Sequence, residues 1–366
     1  MGLFACLSGC IQHPDHETIE SVDLADSGRT ELKVQYAQGF DLKYQKNRMH
    51  IVTHSFGTNT PFADSLQIGF SKGNGRDENS LYLTAEGLRI ACQSSTHLSF
   101  IKALHATDNV CALCGIKYVT DKNLQNTLAA NQVIEICQGE GVLMEPLLAA
   151  EPDVYLTYPF QSTSETAKDA VGIHDLFIAE YLEKTPLARL EWIKLFGVLL
   201  EKEGLAKKIF DEKETLYLDN QSKALKTGQT FIMNLPFQDN WYMPSSQSLV
   251  VNLIEDAGLS YFYADEKGTE NTLHSKESVW SDGGVSDYWI IIAARPAQFS
   301  MDDLISEAPV YSTFAAVQKN QVIFCNTSQV PYFTSGVLEP EIMLKDLLFA
   351  TGQIERHDPV YFHLLQ

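Results

Sequence analysis

The chain has 366 residues, of which 45% are hydrophobic, and it carries 47 acidic against 27 basic residues, a formal net charge of −20. That much apolar sequence can form a packed core and predicts about two domains. The acidic excess argues against a nucleic-acid partner, because phosphate binding needs a basic surface, and it favours solubility and cationic partners. No apolar stretch reaches about 18 residues, so no transmembrane helix is predicted.

The first ten residues, MGLFACLSGC, contain a short apolar run followed by small residues and Cys10. This stretch resembles the lipobox of bacterial lipoproteins, in which a signal peptidase cleaves before a cysteine that carries lipid. The basic region and the roughly 7–15 apolar residues of a full signal peptide do not precede it, so an accidental match is the alternative. We predict that residues 1–27 are a lipoprotein signal remnant and tether, with Cys10 lipidated.

The sequence CALC, residues 111–114, has CxxC spacing but neither a second cysteine pair nor a histidine cluster behind it. Metal or redox use is one interpretation of this spacing. Buried or free thiols are the preferred interpretation, because cysteine is among the most buried residue types.

Residues 31–87 are predicted to be a strand-rich extension, because polar and apolar residues alternate in LKVQYAQGFDLKY, NRMHIVTHSF and SLYLTAE. From about residue 88 the pattern changes to alternating strands and helices. The predicted strands are LRIACQ, VCALC, DVYLTY and HDLFIAEY, and the predicted helices are STHLSFIKALHA, GVLMEPLLAAE and TSETAKDAV. Such alternation with short loops predicts a parallel sheet covered by helices on both faces.

The stretch 186–226 then carries apolar residues at helical spacing and no strand pattern, which predicts a helical connector. The alternation resumes with strands in QTFIMNLP, LSYFYAD, SDYWIIIAAR and NQVIFCN, and helices in SSQSLVVNLIEDAG, SKESVWSDGG, MDDLISEA and EPEIMLKDLLFATG. The predicted fold class is therefore α/β. Two doubly wound α/β lobes, residues 28–185 and 227–366, are joined by a long helical spine, and the first includes the N-terminal strand-rich extension.

A weak internal repeat relates the two lobes. EPLLAAEPDVYL places Glu145, a short helix, Asp153 and a buried strand in order, and ESVWSDGGVSDYWII does the same with Glu277 and Asp287. Glu145 precedes Pro146 and is predicted to cap its helix, since a carboxylate suits a helix N-terminus. Two unrelated caps would often give this pattern by chance, so the repeat alone does not decide whether the glutamates have a further role.

Five segments between about residues 88 and 366 resemble, in the right order, the ABC-transporter substrate-binding proteins that handle iron-siderophores, haem and cobalamin. These proteins have the class III periplasmic-binding-protein fold. The segments are SSTHLSFIKALHATDNVCAL, LMEPLLAAEPDVYLT, EYLEKTPLARLEWIKLFG, NWYMPSSQSLVVNLIEDAGLSYFYAD and YFTSGVLEPEIMLKDLLFA. Together they are specific for the family and poorly specific for the ligand.

The resemblance implies a lipid-anchored protein of the periplasm or cell surface, which delivers an iron or cobalt chelate to an ABC permease. It also implies that one glutamate per lobe, here Glu145 and Glu277, docks into arginines of the permease; a carboxylate–arginine pair is strong and directional. The protein is expected to be a monomer with no cofactor of its own.

In open α/β sheets, ligands bind beyond the carboxyl ends of the strands, and two such rims would face each other across a cleft. Aromatic residues with polar tips suit a large, partly apolar chelate. The predicted ligand-binding residues are Ser95, Thr96, His97 and Tyr158 in the first lobe and Trp241, Tyr242, Tyr263 and Tyr332 in the second. The alternative is that these aromatic residues only pack the lobe edges.

His97 has other interpretations. A bare-metal site would need three or four converging ligands, and the remaining histidines are scattered along the sequence, so no metal site is predicted. A contact to haem, a hydrogen bond to the ligand and a purely structural role stay open, the last being preferred. Arg189 and Glu191, at the start of the spine, are predicted to form a structural ion pair or cap rather than to contact the ligand.

Two further functions stay open. Two-lobed folds of this kind also occur in chelatases and nitrogenase-like reductases, but the sequence lacks HExxH, GxSxG, a Walker loop and a cysteine cluster. We therefore predict no catalytic residue. The third function is that of a surface scavenger without a dedicated permease.

Overall fold

The structure is a computed structural model that describes residues 30–45, 48–54, 63–69, 80–82, 87–139, 141–158 and 172–366. Cys10, the tether at 1–27 and the predicted helix TSETAKDAV lie outside the described residues. Within them the predicted α/β fold is confirmed, with two parallel sheets and helices between and around them.

The strand-rich extension forms a four-stranded sheet of its own. Its strands are β1 Phe40–Gln45, β2 Arg48–His54, β3 Ala63–Gly69 and β4 Ser80–Tyr82. The first three pair antiparallel, and β3 pairs with β4 in parallel. The sequence pattern predicted that the first strand begins near residue 32. This is wrong, because residues 32–39 form no strand and the amides of 35–39 instead bond to buried carboxylates of the connector.

The first lobe is built on a five-stranded parallel sheet in the order β11-β10-β5-β6-β7. Strands β5, β6 and β10 are buried along their whole length, as expected for a parallel sheet covered on both faces. The elements in chain order are β5 Ile90–Cys92, α1 Ser95–Ala103, β6 Val110–Leu113, α2 Lys122–Ala130, β7 Ile134–Glu135, β8 Cys137–Gln138, β9 Gly141–Val142, α3 Met144–Ala149, β10 Val154–Thr157 and β11 His174–Phe177.

The connector consists of α4 Pro186–Glu191, α5 Ile193–Leu199 and α6 Glu203–Lys223. Proline at the first helical position and the Thr185 hydroxyl, which accepts the N–H of Ala188, fix the start of α4. A Cβ at Gly197 would lie 2.5 Å from the Cβ of Ala206, so glycine is needed for α5 and α6 to approach this closely. The predicted helical spine is confirmed.

The second lobe has a five-stranded sheet in the order β14-β12-β16-β17-β18, parallel except for β18. Strands β13 and β15, which the sequence pattern did not predict, form a separate antiparallel ribbon. The elements are β12 Thr230–Met233, β13 Asn240–Pro244, α7 Leu249–Asp256, β14 Ser260–Tyr261, β15 Asn271–Ser275, α8 Lys276–Asp282, β16 Tyr288–Ala293, α9 Met301–Glu307, α10 Ala315–Gln318, β17 Val322–Asn326, α11 Pro340–Ala350 and β18 His363–Leu364.

The buried apolar side chains of the extension, both lobes and the connector form one continuous cluster. Phe40 of β1, for example, lies 4.9 Å, ring to ring, from Trp192 of the connector. A smaller cluster lies apart from it in the first lobe, around Leu147 and Tyr155. In the part of the chain that the structure describes, no helix combines the length and apolar character needed to cross a bilayer.

A buried carboxylate of the connector, Glu191, holds the N-terminal segment. It accepts the backbone N–H groups of residues 35–37 at 2.7–3.0 Å and pairs with the ammonium of Lys194 at 2.6 Å. The predicted ion pair between Arg189 and Glu191 is therefore wrong, because Arg189 pairs with Glu180 at 3.4 Å instead. Glu191 is nevertheless structural, since a buried carboxylate with several donors is compensated for its lost hydration.

A second buried carboxylate, Glu183, holds the next residues of the same segment. Its Oε1 accepts the N–H groups of Gln38 at 2.9 Å and Gly39 at 3.0 Å and the indole N–H of Trp192 at 2.9 Å. Burial nevertheless raises the pKa of Glu183 to about 7, since desolvation of the charge outweighs these hydrogen bonds.

Replacing Glu183 with glutamine tests whether desolvation of the Glu183 charge outweighs its hydrogen bonds. The folded-state pKa of Glu183 is raised from 4.5 to about 7, so its contribution to the free energy of unfolding is complete below pH 4.5 and is lost as the pH rises through about 7. Glu183→Gln keeps an acceptor oxygen and removes the charge. We expect the variant to exceed the wild type in stability above pH 7 by up to about 3 kcal/mol, and the gain to vanish towards pH 4.5.

Thermal unfolding followed by circular dichroism across this pH range measures the effect. Burial lowers the pKa of His97, so the titration of His97 increases the free energy of unfolding as the pH rises. Because this affects both proteins equally, only the difference in stability between the variant and the wild type is informative. A difference in stability that stays constant with pH would contradict the raised pKa of Glu183.

Candidate functional site

Polar residues follow β5 and β10 where these neighbouring strands end. Ser94 caps α1, because its hydroxyl accepts the N–H of Thr96 at 3.1 Å. The two hydroxyls of this pair lie 2.9 Å apart. The side-chain oxygen of Gln93 accepts the N–H of Tyr158 at 2.8 Å and so ties the two strand ends together. Predicted residues Ser95, Thr96, His97 and Tyr158 are thus brought to one rim of the first lobe.

His97 lies in the first turn of α1 and is fully buried. Its ring centroid is 5.4 Å from that of Tyr158 and 6.5 Å from that of Phe196. Burial lowers the pKa of His97 to about 4, opposed by the Glu180 carboxylate and the Leu156 carbonyl. The imidazole is therefore neutral near pH 7, with one donor and one acceptor nitrogen. Neither nitrogen has a hydrogen-bond partner among the described residues.

The charge of Arg189 acts on a tyrosine of each lobe. Burial raises the pKa of both Tyr158 and Tyr332, and the positive charge of Arg189 opposes the rise in each. On its other side Arg189 pairs with Glu180, which is fully buried. The Nε of Arg189 and one carboxylate oxygen of Glu180 have no hydrogen-bond partner within the described ranges. Unpaired buried groups are costly, so this cluster can offer several polar contacts to a ligand.

A small pocket next to Arg189 joins the connector to the second lobe. Beside it, α1 of the first lobe packs against residues Ser335–Leu338 of the second, so the two lobes are in contact here. The pocket is lined by Pro186, Leu249, Leu253, Tyr332, Val337 and Met343 as well as by Arg189. Tyr332 therefore lies against the connector, and its role in ligand binding stays a prediction.

Trp241 lies elsewhere, in the core of the second lobe. It is fully buried, its indole N–H donates to the carbonyl of Met233 at 2.8 Å, and its ring is 5.8 Å from that of Trp289. Trp241 is thus a packing residue, contrary to the prediction that it lines the cleft.

Tyr242 lies in strand β13 of the antiparallel ribbon, and Tyr263 packs beside its strand β15. Tyr242 is 42% exposed and lies opposite Leu273 in the ribbon. The ring of Tyr263 is 4.6 Å from that of His274, and its hydroxyl has no hydrogen-bond partner in the described part of the chain. Their role in ligand binding stays a prediction.

Sequence reasoning missed several residues of these rims. Glu180 and Tyr181 follow β11 closely, and the ring of Tyr181 is 5.2 Å from that of Tyr158. Arg295 follows β16 and is paired with Glu307 at 3.0 Å. The available signal was their position at the ends of the predicted strands HDLFIAEY and SDYWIIIAAR, because strand ends define the rim of a parallel sheet.

Glu145 and Glu277 occupy the second position of two short crossover helices, α3 and α8. Such helices run antiparallel to the strands that they join, so their N-termini lie at the carboxyl rim. Both glutamates are exposed and have no hydrogen bond or ion pair with any described residue. The prediction that Glu145 caps its helix is wrong, because the N-cap is Leu143, which provides no side-chain bond.

The internal repeat has a structural counterpart in the two aspartates. Asp153, before β10, accepts the N–H of Arg89 at 2.8 Å, next to the start of β5. Asp287, before β16, accepts the N–H of Thr230 at 3.0 Å, at the start of β12. In each lobe the aspartate therefore fastens the strand after the glutamate helix to its neighbour.

The cysteines are only in part the buried or free thiols that the sequence analysis preferred. Cys114 of the CALC sequence forms a disulfide with Cys137, whereas Cys92, Cys111 and Cys325 are buried free thiols. Within the described ranges, no group of three or more histidine, cysteine, aspartate or glutamate side chains is placed to hold a metal ion.

Two parallel-sheet lobes that are joined by a helical spine and touch each other through α1 and Ser335–Leu338 are the architecture of a two-lobed solute-binding protein. A family model described as "Periplasmic binding protein" matches residues 90–328, and the chain belongs to this family. The membership predicted from the five motifs is thereby confirmed.

Similar proteins come from several organisms. A protein described as an uncharacterized lipoprotein of Methanocaldococcus jannaschii is 23% identical, over 94% of this chain and 88% of its own. A periplasmic binding protein of Veillonella parvula has a TM-score of 0.61 at 13% identity, over 83% of this chain and 99% of its own. A periplasmic haem-binding protein of Vibrio cholerae has a TM-score of 0.58 at 16% identity, over 72% and 98%. A petrobactin-binding protein of Bacillus subtilis has a TM-score of 0.57 at 17% identity, over 75% and 94%.

The ion pair at the centre of the site can be tested by its effect on stability. We expect Arg189→Met to lower the free energy of unfolding by roughly 3–5 kcal/mol, because it leaves the buried Glu180 carboxylate without its counter-charge. Adding Glu180→Gln should restore most of the loss. Urea unfolding followed by tryptophan fluorescence measures both changes. A double variant no more stable than Arg189→Met would contradict a role for the pair.

Proposed function

We propose that this protein is the cell-envelope substrate-binding protein of an ABC importer. It captures a ferric-siderophore, haem or cobalamin-like chelate between the lobes and delivers it to the permease. The observation that carries the proposal is the position of Arg189 in the connector, where its charge acts on Tyr158 of the first lobe and on Tyr332 of the second and where it lines a pocket together with Tyr332. Protonated phenols, a guanidinium and a neutral imidazole offer hydrogen bonds and aromatic faces to a large chelate with peripheral oxygen atoms.

The similar structures support this class of cargo. The proteins of Vibrio cholerae and Bacillus subtilis bind haem and petrobactin, respectively, and both share the two-lobed fold. His97 has no exposed surface while α1 packs against Ser335–Leu338. Cargo therefore reaches His97 after the lobes separate at this contact, and the helical connector keeps that movement modest.

The proposed location is outside the cytoplasm, held to a membrane by lipid on Cys10. The Cys114–Cys137 disulfide supports an oxidising compartment, and the Methanocaldococcus jannaschii relative is a lipoprotein. The acidic net charge of −20 suits docking onto basic permease residues. Glu145 and Glu277 are the proposed docking residues, and the protein acts as a monomer.

Titration with a panel of chelates tests the cargo site. We expect at least one of a ferric hydroxamate, a ferric catecholate, haemin and cyanocobalamin to quench tryptophan fluorescence with a defined affinity. Tyr158→Phe and Tyr332→Phe should each weaken that binding roughly fivefold, because each removes a hydrogen-bonding hydroxyl worth about 1 kcal/mol. Tyr118→Phe, at a tyrosine that is 68% exposed, is the matched control.

Two results would count against the cargo proposal. Failure of all four chelate classes to bind would reject a metal-chelate cargo, and native mass spectrometry of protein from its own host would then identify what it carries. Unchanged affinity in both tyrosine variants would place the cargo away from Arg189.

Charge reversal tests docking. We expect the double variant Glu145→Arg, Glu277→Arg to weaken binding of the cargo-free protein to its permease in nanodiscs by at least about a hundredfold, since each lost carboxylate–arginine pair contributes roughly 1.5–3 kcal/mol. The control is Glu212→Arg, Glu355→Arg, which changes the net charge equally at exposed positions. Surface plasmon resonance measures both. Equal permease binding by the two double variants would reject docking through Glu145 and Glu277.

A further inference from the structure

The Cys114–Cys137 disulfide lies at the base of the loop that carries α3. Cys114 follows β6 and is fixed to the sheet, because its N–H donates to the carbonyl of Cys92 at 2.9 Å. Cys137 begins the short β8–β9 hairpin, in which it pairs with Val142. The N–H of Leu143 then donates to the carbonyl of Ile136 at 2.8 Å. The disulfide therefore connects the carboxyl end of β6 to the loop that ends at Met144, where α3 begins.

A carboxylate reinforces the same connection. Glu135 accepts the N–H groups of Gly115 and Ile116 at 2.9 Å each and that of Cys137 at 3.0 Å. These donors come from both sides of the disulfide, directly after Cys114 and at Cys137 itself. A covalent bond and a three-donor carboxylate thus hold the same two segments together.

Helix α3 is held at its C-terminal end by Arg89, whose guanidinium donates to the carbonyls of Ala150 at 2.6 Å and Glu151 at 3.0 Å, so the disulfide matters for the N-terminal end, which carries Glu145. The helix has six residues, and a helix this short is marginal without tertiary contacts. Its buried residue Leu147 packs in the smaller hydrophobic cluster, separate from the continuous core, and Cys114 packs against that cluster.

We propose that the Cys114–Cys137 disulfide and Glu135 are positioning groups that hold α3 so that Glu145 is presented at the carboxyl rim. The inference rests on the proposed docking role of Glu145. It adds the condition that the Cys114–Cys137 disulfide must be formed for docking. Only the oxidised protein, in an oxidising compartment, has a rigid docking surface on the first lobe. The second lobe contains no corresponding bond among the described residues, so the dependence belongs to Glu145 and not to Glu277.

Hydrogen–deuterium exchange and permease binding of the same protein test this inference. The full-length chain is used as Cys114→Ser, Cys137→Ser, and as folded wild type reduced with dithiothreitol in case the variant folds poorly. We expect exchange in the peptide 141–150 to accelerate by at least about fivefold, and permease binding to weaken as much as in Glu145→Arg. The peptide 276–282, which covers Glu277, should keep its exchange rate. Cys325→Ser, which removes a buried free thiol, is the matched control.

The outcomes separate this inference from the docking proposal. Unchanged exchange in 141–150 would overturn the inference whatever the permease data show. Faster exchange with unchanged permease binding, when Glu145→Arg abolishes that binding, would overturn the positioning role and leave docking intact. Undiminished binding by Glu145→Arg would reject docking through this residue, and the inference with it, even if exchange accelerated.

Discussion

The structure depends on carboxylates of the connector region that are buried against backbone N–H groups of the N-terminal segment. Glu191 binds the amides of residues 35–37 and the ammonium of Lys194, and Glu183 binds the next two amides. Losing a donor to Glu191 would leave its negative charge poorly compensated in a medium of low dielectric constant, whereas Glu183, whose pKa burial raises to about 7, holds its two amides as a hydrogen-bond acceptor. These bonds therefore fix the segment to the connector in one geometry, and the extension sheet follows from β1 directly afterwards.

A fixed connector in turn determines how the lobes meet. Helix α5 packs against α1 of the first lobe and α6 packs against α11 of the second. Arg189 projects from α4 towards the place where the lobes touch, so its charge acts on Tyr158 and Tyr332 together. The charge of Glu180 beside it limits the net positive charge offered to a ligand.

The features that the sequence predicted well are local or repeated. Continuous apolar runs such as SDYWIIIAAR indicate a strand buried on both faces, and the alternation of such runs with helical periods gives the parallel sheets. Trp241 was misplaced because its burial depends on Trp289 and Phe314, which are distant in sequence. The β13–β15 ribbon and the Cys114–Cys137 bond join segments across intervening elements, and no local pattern records such pairings. Glu183 and Glu191 look like surface residues in sequence, since only the fold brings unpaired backbone amides to them.

The two kinds of acidic residue in the internal repeat have different environments for a physical reason. Asp153 and Asp287 have short side chains next to a strand start, where each reaches a backbone N–H of the neighbouring strand. Glu145 and Glu277, at the second position of their helices, extend into solvent and bond to no described residue. Each carboxylate lies in the first turn of its helix, where it interacts favourably with the free N–H groups and contributes roughly 0.3–1 kcal/mol, so stability alone would favour an acidic residue at both positions. Docking of Glu145 and Glu277 onto a permease therefore stays a proposal, and what supports it is their matching position in the two lobes rather than their lack of a partner.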